Sequence, residues 1–166
     1  MANKMRVGIG FDVHPLTPGR RLVLGGIDIP FDKGLSGWSD ADVLTHAIID
    51  ALLGAVALGD IGSHFPPGEP QYKNISSLVL LKKVKDDLAE NGWQIVNIDA
   101  TIVAEKPRLG DFIERMRQQL SDTLGVAPSQ VSVKASTSAG LGLVGRGEGI
   151  AAYAIAMVRG SKDESI

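Results

Sequence analysis

The chain of 166 residues contains no cysteine, which excludes a disulfide framework, a thiolate metal site and a thiol nucleophile. Histidine is scarce, with three copies, so any metal would have to be held by imidazole and carboxylate groups from few positions. Charge of one sign is also missing. Seventeen Lys and Arg stand against nineteen Asp and Glu, and the net charge of −2 gives no general electrostatic attraction for nucleic acid or an anionic membrane. Long hydrophobic runs are absent too. The longest near-apolar stretch, Gly149 to Val158, is half of what a membrane span needs, and Met1 to Met5 lacks the apolar core of a secretory signal. The expectation is a soluble cytoplasmic protein. No repeat of 20 to 50 residues and no linker divides the sequence, so one domain over 1–166 is expected, with flexible ends at 1–4 and 160–166.

Apolar residues make up 44% and charged residues 22%, which is ordinary globular usage. The twenty glycines cluster in the first 62 residues and after Gly140, where tight turns and close backbone approaches are expected. Met5 to Phe11 reads as a buried strand. Arg21 to Leu24 and Ile27 to Ile29, joined by Gly25-Gly26, read as a hairpin. Ser39-Asp40-Ala41-Asp42 has the Ser-x-x-acid start of a helix, and Val43, Ala47, Ile48, Ala51, Leu52 and Ala55 keep a helical period to about Leu58. Gly59 to Tyr72, with three prolines and three glycines, reads as an irregular loop. Helices are expected over Leu78 to Ala89 and Arg108 to Leu124. Strands are expected over Gln94 to Ala104, with Val96, Ile98, Ala100 and Ile102 on one face, over Gln130 to Ala135, and over Ile150 to Val158, which is apolar on both faces. The order of elements places the chain in the α/β or α+β class around one sheet.

Asp12 and His14 sit two residues apart at the expected end of the first strand, so extended backbone points both side chains to one side. Alone, such a pair commonly just meets solvent. His46 changes the weighing. It lies in the strongest expected helix, one turn after Asp42, whose carboxylate is placed to hold the second ring nitrogen. Asp, His and His with a fourth position open is the pattern of a catalytic zinc site. His64, in the proline-rich loop, has no such company and reads as a surface residue. Between Lys134 and Gly149 the sequence combines hydroxyls, closely spaced glycines and two cations. Gly140, Gly142 and Gly145 match the dinucleotide-loop spacing, but only 17 residues follow Gly149, too few for a complete strand–helix–strand unit. What remains is either local phosphate recognition or a flexible glycine loop.

As a set the motifs become specific. Gly10-Phe11-Asp12-Val13-His14, Leu24-Gly25-Gly26, Ser39-Asp40-Ala41-Asp42-Val43 with His46, Asp50-Ala51-Leu52-Leu53-Gly54, Leu58-Gly59-Asp60-Ile61-Gly62, Val133-Lys134-Ala135 and Gly145-Arg146-Gly147-Glu148-Gly149 occur in one order from about Met5 to Arg159. In these the chain resembles the 2-C-methyl-D-erythritol 2,4-cyclodiphosphate synthase family of the non-mevalonate isoprenoid pathway. The resemblance implies an α+β fold with a mixed four-stranded sheet flanked by helices on one side, and three subunits whose sheets form an internal β-prism with active sites between neighbours. It implies zinc on Asp12, His14 and His46, and magnesium bridging the substrate diphosphate. It assigns Asp60, Ile61 and Gly62 to the ribose, and Ala104, Pro107, Arg108, Leu109 and Gly110 to the cytosine and nearby phosphates. Ser39, Ser136, Thr137, Ser138 and Ala139 fall at phosphate-contacting positions, with Thr137 stabilising the transition state. Leu143 and Arg146 fall at positions linked to a prenyl diphosphate in an axial cavity. The implied reaction cyclises 4-diphosphocytidyl-2-C-methyl-D-erythritol 2-phosphate and releases CMP.

Two positions depart from the family pattern. Trp38 stands where a histidine is common, in a catalytic position, and its indole N–H remains able to donate to a phosphate. Ala139 stands where many members have a magnesium-holding glutamate. A metal-dependent phosphohydrolase and a non-catalytic prenyl diphosphate binder are the competing readings of the same residues.

Overall fold

The computed structural model describes residues 4–160. Of the ends expected to be flexible, 1–3 and 161–166 lie outside the described residues, while the Gly160 N–H donates to the Lys4 carbonyl at 2.9 Å. Strands β1 (Met5–Pro18), β2 (Leu22–Leu24), β3 (Ile27–Ile29) and β4 (Lys33–Leu35) lead into helices α1 (Val43–Ala55), α2 (Ile61–His64) and α3 (Ser77–Glu90). Then come β5 (Trp93–Val103), α4 (Ile113–Leu124), β6 (Val131–Ser136), a short α5 (Gly142–Gly145) and β7 (Gly149–Gly160). The main sheet has the order β4-β1-β7-β5-β6, with β5 and β6 parallel and every other pair antiparallel. The class is α+β, with helices packed against a mixed sheet.

That sheet has five strands rather than the four expected. The difference lies in β1, which does not stop at Phe11. It pairs with β7 as far as Pro15 and then, through Leu16–Pro18, with β4. Short glycine-containing segments such as Lys33-Gly34-Leu35 carry too little periodicity to be read as strands from sequence. The hairpin forms as expected, with Gly25 and Gly26 at φ +57° and +72°, the left-handed pair of a primed turn. Ile150 to Val158 falls within β7.

Helix α1 is apolar almost all round, and eleven of its thirteen residues are buried, as a helix enclosed by sheet and helices must be. Its seat on β1 depends on glycine. A Cβ at Gly10 would lie 1.8 Å from the Ala47 carbonyl oxygen, and one at Gly8 would lie 2.0 Å from that of Ala51. Only backbone fits there. The helix begins at Val43 with Asp42 as its N-cap, three residues later than the Ser39 signature suggests, because the Ser39 hydroxyl is taken by the Ala41 N–H. The expected helix from Arg108 likewise starts late. A single tight turn at Gly110–Phe112 precedes α4, which ends at Gly125 in the left-handed conformation. The loop from Gly59 contains two short helical turns, α2 and Pro70–Tyr72. In β5 the register with β7 shifts between Ile95 and Asn97, so Val96 drops out of the buried row that Ile98, Ala100 and Ile102 keep. No helix among the described residues is long and apolar enough to cross a membrane.

Candidate metal centre and active site

Alternation along β1 turns Gly8, Gly10, Asp12 and His14 to the side of α1, and His46 comes down from the first turns of that helix to meet them. Asp12 Oδ2 lies 2.9 Å from His14 Nε2 and 2.9 Å from His46 Nδ1, and the two nitrogens are 3.2 Å apart. The far sides of both rings decide what this triangle is. His14 Nδ1 faces the Ser36 carbonyl at 2.9 Å, so it carries the hydrogen and leaves Nε2 a lone pair. His46 Nε2 faces Ser77 Oγ at 2.8 Å. The Ser77 hydroxyl is itself donated to Asp40 Oδ1, so Ser77 Oγ accepts from His46 and leaves Nδ1 a lone pair. Three lone pairs therefore converge without a hydrogen between them. A tetrahedral ion with bonds of ~2.0–2.1 Å sets its ligand atoms ~3.3 Å apart, close to the spacing found. The donor set fits a divalent cation.

A proton competes for this same point, since protonating either ring puts an N–H on Asp12 Oδ2. Burial pushes the Asp12 carboxyl up, but hydrogen bonds and charge from His14 and His46 outweigh it and hold the group well below the ordinary carboxylate range. Burial pulls His14 down, but the bond and charge of Asp12 outweigh that and raise it. Each partner draws positive charge towards the same point.

Asp42 does not hold His46. Its carboxylate caps α1 through Thr45 and accepts the Gly25 and Gly26 N–H groups at 2.9 and 2.7 Å, so its oxygens are consumed by the hairpin turn. The second nitrogen of His46 belongs to Ser77, with Ser39 Oγ at 3.2 Å. Ser77 comes from a helix 31 residues away, and no local pattern points to it.

A cavity of about 190 Å³ opens beside the triangle. Asp12, His14, Trp38, Ser39, His46, Ile61 and Gly62 line it together with Phe65, Pro67, Tyr72 and Leu80. Asp60 caps α2 through the Ser63 N–H, and the Ile61 N–H is held by Asp50 Oδ1 at 2.8 Å, which places the Asp60–Gly62 segment at the rim. The Trp38 N–H, expected from the sequence to reach a phosphate, is instead donated to the Glu69 carbonyl at 2.9 Å, tying the loop that carries Phe65 and Pro67 to the segment before Ser39. His64 is half-buried, with its ring bonded to the Leu58 carbonyl.

The other residues drawn from the sequence form a second group. Ala104 N–H donates to the Ser136 carbonyl at 2.9 Å, joining the segment that holds Pro107, Arg108, Leu109 and Gly110 to the end of β6. Glu105, which sequence reasoning missed, fastens the following loop. Its Oε1 accepts from Ser138 N–H, Ser138 Oγ and Gly140 N–H at 2.9, 3.0 and 3.2 Å. Thr137 Oγ1 accepts from the Ala139 N–H at 3.3 Å. Val13 and Val103 both pair with Ala151 of β7, so this group lies at the same end of the sheet as His14 but two strands away, ~10 Å. None of it lines the cavity of the metal centre. Leu143 lies on α5, and Arg146 just beyond it pairs with Glu148 at 2.9 Å.

Along β1 and β7 the opposite face of the sheet is apolar and, among the described residues, uncovered. Val7, Ile9, Phe11 and Val13 alternate with the glycines and ligands of β1, and Ile9 is 71% exposed. Tyr153 and Ile155 of β7 continue the patch, with the Phe11 and Tyr153 rings 4.9 Å apart.

Comparison with known proteins accounts for the fold. The model of the YgbB family matches residues 5–159. The 2-C-methyl-D-erythritol 2,4-cyclodiphosphate synthase of Dehalococcoides mccartyi strain CBDB1 is 60% identical over 154 residues, covering 93% of this chain and 98% of the relative. Among solved structures, the bifunctional IspDF of Campylobacter jejuni superposes with a TM-score of 0.92 at 38% identity, over 96% of this chain and 43% of that longer one. A CDP complex of IspF from Plasmodium falciparum superposes with a TM-score of 0.84 at 27% identity, over 98% and 100% of the two chains. A match over nearly the whole chain, at such identity to proteins of one activity, means that the chain belongs to the YgbB family, the 2-C-methyl-D-erythritol 2,4-cyclodiphosphate synthases.

Proposed function

We propose that the chain performs its family's reaction, cyclising 4-diphosphocytidyl-2-C-methyl-D-erythritol 2-phosphate with release of CMP, at a site completed by a neighbouring subunit. The observation that carries this reading is the triangle of three lone pairs beside a cavity whose walls include Ser39, Ile61 and Gly62. When bound by Asp12, His14 and His46, zinc supplies a Lewis-acidic positive charge to a phosphate oxygen. The Ser39 hydroxyl accepts from the Ala41 N–H and faces His46 Nε2, so its own hydrogen is free to donate to a phosphate in the cavity. Phe65, Pro67, Tyr72 and Leu80 form an apolar wall that keeps water from the phosphates. Both outer ring nitrogens carry hydrogens committed to Ser36 and Ser77, so neither imidazole is free to act as a base. Attack by the substrate's own phosphate needs no such base, only folding and alignment.

Cytidyl recognition by Ala104, Pro107, Arg108, Leu109 and Gly110, and phosphate contacts from Ser136, Thr137, Ser138 and Ala139, complete the reading. Because this group is separated from the metal cavity within one chain, it serves the site of a neighbour. The bare face of β1 and β7 then packs at the centre of a homotrimer, as an internal β-prism, with Leu143 and Arg146 near the axis for a prenyl diphosphate. The 136–139 segment offers no carboxylate to magnesium, and the Oε1 of the adjacent Glu105 is occupied by Ser138 and Gly140. That leaves Glu105 Oε2 as the one carboxylate oxygen beside this segment, and a magnesium ion would rest largely on substrate oxygens.

The test is direct. With the cytidyl substrate, zinc and magnesium, CMP and the cyclic diphosphate are expected in equal amounts, with no solvent oxygen-18 in the product. Label in the product makes the protein a phosphohydrolase, and no CMP at all makes it a binder.

A further inference from the structure

We propose that Asp40 and Ser77 are positioning residues whose hydrogen-bond chain dictates which nitrogen of His46 faces the metal centre. The inference rests on the metal reading above only for its consequence; the chain itself is independent of it. Asp40 lies in the loop before α1 and Ser77 opens α3, so the chain ties that loop and the start of α3 to the first turn of α1.

Its direction follows from the donors. A carboxylate only accepts, so the Ser77 hydroxyl must donate to Asp40 Oδ1. Asp40 is held in place by the Ser77 N–H on Oδ2 at 2.9 Å, by the Asp42 N–H on Oδ1 at 3.2 Å, and by its own N–H on the Ile75 carbonyl at 3.0 Å. Ser77 Oγ, its hydrogen spent, then accepts from His46 Nε2 at 2.8 Å. Ser77 is 0% exposed and His46 7%, so water does not substitute for either partner. The other tautomer would set two acceptors against each other at Nε2. It would also place an N–H on Nδ1, between Asp12 Oδ2 and His14 Nε2, where a cation would bind. Ser39 Oγ, at 3.2 Å, is a longer second acceptor for the same hydrogen and does not orient it alone.

The full-length chain, stripped of metal and labelled with nitrogen-15 histidine, tests this by NMR, with zinc titration as a second readout. Wild-type His46 is expected as the Nε2–H tautomer. In Asp40→Asn the amide donates to Ser77 Oγ, the Ser77 hydroxyl turns to His46, and the tautomer switches to Nδ1–H with zinc affinity lower by roughly 10- to 100-fold. Ser77→Ala is expected to mix the tautomers and Ser77→Thr to restore Nε2–H, and that pair decides the matter if the Asn variant does not fold. A wild-type tautomer and wild-type zinc affinity in Asp40→Asn, or in Ser77→Ala, overturn the proposal. If wild type takes up no zinc yet the tautomer responds as stated, the metal reading fails and the positioning role stands.

Discussion

The two faces of β1 have opposite characters, although they are made by alternate residues of one strand. Towards α1 the strand presents Gly8, Gly10, Asp12 and His14: first no side chain at all, then two ligands. Away from it stand Val7, Ile9, Phe11 and Val13, an apolar row with nothing on it in the single chain. The glycines let the helix backbone come close enough for His46 to reach Asp12. The apolar row has no role in that geometry; in the proposed trimer it is the packing surface. On that proposal one strand carries catalysis on one side and association on the other, and each side can be broken separately.

The largest effect is expected from the glycine face. Gly10→Val places carbon against the Ala47 carbonyl, where even a Cβ would be at 1.8 Å, so β1 and α1 must part. A loss of about 3 kcal/mol or more, the upper range for overpacking, is expected in denaturant unfolding, with insoluble protein as the extreme. Ile9→Val, one residue away on the bare face, should change the stability of the separated subunit by less than about 0.5 kcal/mol. Equal losses at the two positions would remove the distinction between the faces.

Next comes the ligand end of the same face. His46→Ala takes away one of three ligands without touching the Asp42 cap or the hairpin, so the helical signal in circular dichroism should persist. Bound zinc, measured by elemental analysis, should fall to a small fraction of wild type, and CMP release by more than about 100-fold. Zinc content like that of wild type sinks the assignment.

The bare face should respond in assembly before stability. Ile9→Arg sets one cation per subunit into an apolar interface, where burial of unpaired charge is prohibitive. The expected result is a monomer by light scattering, with normal zinc content and with activity that falls in step with the trimer population. Full activity from that monomer would show that the 104–110 and 136–139 segments serve their own subunit's metal.

How far these faces were legible in the sequence follows from the range of each signal. Asp12 and His14 are two apart on extended backbone, and the strong period of α1 carries His46, so local pattern was enough to bring the ligands together. The Gly25-Gly26 turn and the Gly125 stop are equally local. Asp40 with Ser77, and Glu105 with Ser138, join positions more than thirty residues apart, and no spacing rule reaches that far. Asp42 misled for a related reason. One turn before His46 it looks like the partner of that ring, yet an N-cap faces the helix end, and there the hairpin amides meet it first. The fifth strand was missed because Lys33–Leu35 is three residues long and holds a glycine.

The smallest effect is expected where neither face is touched. Glu105 holds the loop that follows Thr137 through three bonds to one oxygen. The backbone bond from Gly140, aided by both bonds from Ser138, outweighs the opposing cost of desolvation and keeps its carboxyl below the ordinary glutamate value. A carboxyl lowered in the folded state contributes order that is complete above its ordinary value and disappears as pH falls through the lowered one. The Ser138 and Gly140 amide resonances should therefore titrate together, with a midpoint below that of an exposed glutamate, and the loop should loosen only on the acid side of it. In Glu105→Gln the amide oxygen can still accept these bonds, so the loop should remain ordered at neutral pH while the acid transition disappears. Because the side chain is only half-buried and holds a surface loop, overall stability should change little. An acid transition that persists in Glu105→Gln would assign it to another group.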